Sequence, residues 1–123
     1  MELWELLITS LIIPLIMVVS GLFMRRGGPK KVNWWMGYRT SMSMKNKETW
    51  VFAHVYCGKL WVLLGSVLGI LSSGFVVFME GGIATYETLL LWVMAVQLLV
   101  LLISIIPTEI ALRKEFDKNG ERR

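Results

Sequence analysis

The 123 residues are 55% hydrophobic and 18% charged, with a net charge of +4 and a mean hydropathy of +0.60, whereas soluble domains average about 25% charged residues. Nearly all the charge lies in two blocks, Arg25 to Lys59 and Glu109 to Arg123, and the apolar runs Leu6–Met24, Leu60–Met79 and Thr88–Ile106 fill the rest. Each run has about 20 residues, the length a helix needs to cross a hydrocarbon core of about 30 Å, and so short a chain could not bury three of them in a soluble core.

The pattern predicts an all-α polytopic membrane protein, a bundle of three transmembrane helices forming one domain over residues 1–123. The first helix is expected at about 3–24. It begins with Glu2 and Glu5 and carries its basic residues after the apolar run, the reverse of a signal peptide, so the segment is expected to be retained. Pro14 stands inside it, where proline removes a backbone hydrogen bond that neighbouring membrane helices can replace.

A loop over 25–46 follows, rich in aromatic and hydrogen-bonding side chains and unlike a flexible Gly/Ser linker. The second helix is expected at about 47–79, with Ser43 or Asn46 as N-cap and Glu48 suited to the positive end of the dipole. At 1.5 Å per residue it is longer than the membrane, so its first turns extend beyond the hydrocarbon. Asn46, Trp50, His54 and Gly58 recur every four residues and share a face there. Gly65, Gly69 and Ser73 form a small-residue stripe of the kind that lets membrane helices approach closely.

A short turn at 80–85 leads to the third helix, expected at about 86–107, with Gln97 near its middle and facing the bundle interior. Pro107 is read as its end, with a charged tail over 108–123. All thirteen Lys and Arg residues fall in the 25–59 stretch and the tail, and Glu2, Glu5, Glu80 and Glu87 face them from the other ends. The positive-inside rule then places the loop and C-terminus in the cytoplasm and the N-terminus outside. Trp4, Trp34, Trp35, Trp50, Trp61, Tyr86 and Trp92 stand near segment ends, as an interfacial aromatic belt requires.

No catalytic constellation is present in the sequence. One histidine, one cysteine (Cys57) without metal-ligand partners, no phosphate-binding glycine loop and no ionisable residue inside the apolar runs point away from an enzyme and from a proton-coupled pump. Neither a cofactor nor a metal is expected. The residues that stand out are Asn33, Gly37, Tyr38, Arg39, Thr40, Ser43, Asn46, Glu48, Trp50 and His54. They read either as a structured cap on the bundle, with Arg39 bonded to the C-terminal carbonyls of the first or third helix, Glu48 or Glu109, or as a recognition site for a peptide or lipid headgroup, with Arg39 as a forked donor and the tryptophans as anchors.

Gly37-Tyr38-Arg39-Thr40, continuing through Asn46, Glu48 and Trp50 to Ala53-His54 and Gly58, with Asn33 ahead of it, resembles the signature of the SdpI/YfhL family. Ser41 stands where many members carry proline, and longer members have further membrane helices ahead of this unit. The resemblance implies immunity: a bacterial plasma-membrane protein that resists a secreted, membrane-active peptide toxin by non-catalytic binding, with a signalling role in some longer relatives. Other readings are an accessory or scaffold subunit of a larger membrane complex and a small oligomeric transporter or channel. Expected partners are the lipid bilayer, a peptide toxin, a cytoplasmic regulator and further copies of the chain, with no nucleic acid.

Overall fold

The computed structural model describes residues 2–32, 37–79 and 86–123. The apolar runs form helices: α1 (Leu3–Met24), α2 (Lys47–Phe78), α3 (Tyr86–Ile103) and α4 (Ile105–Glu115). The last two are separated only by Ser104 and together make one continuous stretch, so three helical spans are long and apolar enough to cross a membrane. Among the described residues the only β geometry is an isolated bridge between Phe116 and Arg122. The architecture is the expected all-helical bundle. Its burial pattern is inverted with respect to a soluble protein. Ile8, Leu15, Ile16, Leu63, Ile70, Leu71 and Leu102 are exposed, while Ser10, Ser72, Gln97, Ser104 and Thr108 are buried.

Such an interior cannot rely on hydrophobic attraction between helices, because lipid tails are as apolar as leucine; close packing and hydrogen bonds replace it. Most of the packing lies between α1 and α2, whereas α3 lies chiefly on α1 and touches α2 lightly. The closest approach centres on Gly58, where an added Cβ would come within 2.7 Å of the Met24 carbonyl carbon, and on Gly21, where one would lie 2.7 Å from the Gly58 oxygen. Gly65 continues this contact against Met17 and the Pro14 carbonyl, with a Cβ 3.0 Å from each. Gly69 has ordinary clearance, 3.5 Å to Pro14, and Ser73 is only half-buried. Its neighbour Ser72 is the serine that turns inward. The stripe is therefore tight at one end and slack at the other.

Pro14 is buried within α1. Lacking an N–H, it cannot bond the carbonyl four residues earlier, that of Ser10. Gln97 of α3 supplies the missing donor: its Nε2 lies 2.7 Å from the Ser10 carbonyl oxygen and 2.8 Å from Ser72 Oγ. One amide thereby ties together all three spans.

The chain departs from expectation beyond Pro107. Instead of ending a helix, Pro107 is the third residue of α4, which continues to Glu115. The first four N–H groups of a helix have no intrahelical partner in any case, so proline costs little there. Ser104, at the junction, accepts a hydrogen bond from the Trp61 indole N–H at 2.9 Å. After α4, Phe116 is fully buried and meets Phe52 of α2 edge-on, with centroids 5.5 Å apart.

Candidate functional site

α1's end, α2's beginning and α4's end converge around Met24, Ala53, Cys57 and Leu112, and Tyr38, Met42 and Phe116 pack into the same cluster. The cap of α2 begins this assembly. Asn46 Oδ1 accepts from the Thr49 N–H at 2.9 Å, and Thr49 Oγ1 accepts from the Asn46 N–H at 3.0 Å, so two orphan donors are satisfied reciprocally. Ser43, the other N-cap expected from sequence, has a different task. Its hydroxyl lies 3.0 Å from the Tyr38 carbonyl, and it accepts from the Thr40 N–H at 2.9 Å. Asn46 also donates through Nδ2 to the Gly120 carbonyl at 2.6 Å, which joins the C-terminal segment to the same corner.

His54, about two turns further along the same face of α2, fastens the motif turn. Its Nε2 accepts the Tyr38 backbone N–H at 2.9 Å, and its Nδ1 lies 2.8 Å from the Trp50 carbonyl. This pairing requires the neutral tautomer with the proton on Nδ1, since Nε2 must offer a lone pair. Gly37 has φ +96°, and the His54 ring fills the space a Cβ would need; glycine meets both demands. Trp50 is fully buried. Its indole N–H donates to the Pro29 carbonyl at 2.9 Å and its ring lies 4.2 Å from that of His54. It is an internal strut and not a member of an interfacial belt.

The Tyr38 phenol reaches α4 and donates to Glu109 Oε1 at 2.7 Å. Burial, reinforced by that carboxylate, pushes the phenol's pKa well above its usual value, so it remains a donor. Glu48 is exposed and pairs with Arg122 at 3.0 Å, and Arg122 also contacts Glu115. Both carboxylates expected as partners of Arg39 are thus occupied by other groups. Arg39 is exposed and makes no hydrogen bond or ion pair among the described residues, so it does not cap a helix. Asn33, Trp34, Trp35 and the 80–85 turn lie outside the described residues.

Two grooves adjoin these elements. The first, about 590 Å³, lies between α1 and the α3–α4 junction beneath the motif turn; Val19, Phe23 and Leu102 wall it, and Arg39 and Thr40 stand at its polar end. The second, about 480 Å³, opens between α2 and α3 in the half of the bundle away from the motif, with Phe75, Trp92 and Val96 against Ser72 and Gln97. Gln97 Oε1 is buried there without a hydrogen-bond partner among the described residues. The sequence marked Gln97 through its polarity in an apolar run, but neither groove nor Gly21 carries a sequence signal of its own. No cluster of metal-ligating side chains occurs among the described residues.

Comparison with known proteins gives one match, to the SdpI/YfhL protein family over residues 30–108; no curated protein and no solved structure matches. The matched stretch begins in the motif loop, takes in α2 and α3, and ends on the first turn of α4. It covers nearly two thirds of the chain, and this multi-pass membrane protein belongs to the SdpI/YfhL family.

Proposed function

We propose that the chain protects a bacterial cell from a secreted, membrane-active peptide by binding the peptide within the bilayer, without catalysis. Family membership carries the immunity reading at its coarsest. The mode of action rests on how the polar side chains are used. Tyr38, Thr40, Ser43, Asn46, Trp50 and His54 are occupied by internal bonds, which favours a structural role for the motif over direct capture. The distribution of basic residues supports a plasma-membrane orientation with this end in the cytoplasm and Glu2, Glu5 and Glu87 outside.

A peptide arriving from outside would then first meet the half of the bundle that contains the α2–α3 groove. That groove has apolar walls and one unsatisfied amide oxygen, Gln97 Oε1. An unpaired polar group in hydrocarbon is costly, so a hydrogen-bond donor on an apolar peptide segment would be favoured there.

The test is survival of a sensitive bacterium challenged with a panel of membrane-active peptides, with wild type compared with Val96→Phe, which narrows the groove. Protection by wild type that is lost in an equally abundant variant supports the reading. A wild-type protein present at normal membrane level that protects against none of the panel overturns it.

A further inference from the structure

We propose that the groove beneath the motif turn is a site for one anionic phospholipid, with an acyl chain against α1 and α3 and the phosphate on Arg39. The inference goes beyond the immunity reading and does not depend on it.

Arg39 differs from the other described motif residues in having no hydrogen-bond or ion-pair partner among the described residues. Every other polar motif side chain among the described residues is bonded internally, and the two nearest claims on a guanidinium have been met, since Tyr38 bonds Glu109 and Arg122 bonds Glu48. The charge is exposed and sits on the rim of a groove of about 590 Å³, within the size range of small-molecule pockets. The walls below it are Val19 and Phe23, in the last turns of the first membrane-crossing segment, and Leu101 and Leu102, within the third. Apolar walls at hydrocarbon level and a cation where the walls give way to the loop match the two ends of a phospholipid.

The chemistry of the cation selects the ligand further. A guanidinium presents paired donors that fit phosphate oxygens bidentately. Thr40 lines the same end, and Arg25 and Arg26 are exposed immediately after α1. This local excess of positive charge favours a lipid with net negative charge over a zwitterionic one, and the anionic leaflet of a plasma membrane offers such a lipid to a basic cytoplasmic face.

The experiment reads lipid retention by native mass spectrometry of the full chain released from nanodiscs of equal phosphatidylglycerol and phosphatidylcholine. Wild type is expected to retain one phosphatidylglycerol with about fivefold preference, the effect of one basic side chain at an anionic surface. Arg39→Gln should bring the preference to near unity, while Lys118→Gln, an equal loss of charge at an exposed position, should leave it at the wild-type value. Glycerol phosphate in solution should not displace the lipid, because it cannot occupy the apolar walls. Thermal unfolding in detergent checks that both variants are folded. Equal retention of the two lipids by wild type, an unchanged preference in Arg39→Gln, an equal fall in Lys118→Gln, or displacement by glycerol phosphate would each overturn the proposal.

Discussion

Gln97 donates through Nε2 to the carbonyl oxygen of Ser10 at 2.7 Å, the one carbonyl that the proline at position 14 leaves without a helical partner. The side chain therefore repairs a defect in another helix. This relationship makes the two residues thermodynamically coupled. Gln97→Leu should destabilise the bundle by about 1–2 kcal/mol, the range for interhelical hydrogen bonds in membranes. Pro14→Ala restores the backbone donor, so adding it should recover part of the loss. A double-mutant cycle in detergent–denaturant unfolding measures the coupling; strictly additive effects would rule it out.

Tyr38 connects the motif turn to α4 through Glu109, and its pKa is raised in the folded protein. A raised folded pKa means that the phenol stabilises the fold fully below the unfolded value of about 10 and that this contribution is lost as pH rises above it. Tyr38→Phe should cost about 1.5–3 kcal/mol at pH 8, the scale for a hydrogen bond to a charged group. The variant should also lose less stability than wild type between pH 9 and 11 on the pH scale of an unfolding titration. Parallel curves would mean that the phenol does not contribute in this way.

The two ends of the small-residue stripe should respond differently. Gly58→Ala drives a methyl into the end of α1 and should cost at least about 1–3 kcal/mol, the usual penalty for overpacking. Gly69→Ala, with a clearance of 3.5 Å, should be near neutral or slightly stabilising through its gain in helix propensity. Thermal unfolding of the pair in one detergent compares them directly.

His54→Ala removes the acceptor for the Tyr38 N–H and the ring that underlies the motif turn. The turn should release from α2 while the spans stay paired. Limited trypsin digestion reads this as faster cleavage at Lys30, Lys31 and Arg39 with little change at Arg25, which is anchored by its backbone bond to Gly21. Unchanged cleavage rates would contradict the proposed role of the ring.

The spans and their number were legible because hydrophobic length is a strong signal, and Gln97 was legible because a polar residue in hydrocarbon needs a partner. The partner itself was not, since the connection between Pro14 and Gln97 depends on how α3 lies across α1. Pro107 misled because proline ends a helix in its interior but is tolerated in a first turn, and which of the two applies depends on the junction at Ser104. Trp50 misled for a related reason: position along the chain placed it near a membrane boundary, but the loop folds back over it and turns an interface residue into a buried one. The motif was conspicuous as a cluster. That Arg39 is left over among the described motif residues became visible only when Glu48 and Glu109 were seen to be taken.

The cap of α2 has a consequence for how the bundle assembles over time. Asn46 begins the second span, yet it bonds to Gly120, 74 residues further along the chain, and Phe116 seals the same corner against Phe52. When the first hairpin of helices has entered the bilayer, that corner is still open to water. It closes only after the third span has been inserted and the chain has returned to the same side. Insertion of the first two spans and sealing are thus separate events, and a two-span fragment would lack both the Gln97 bond to Ser10 and the closure of that corner.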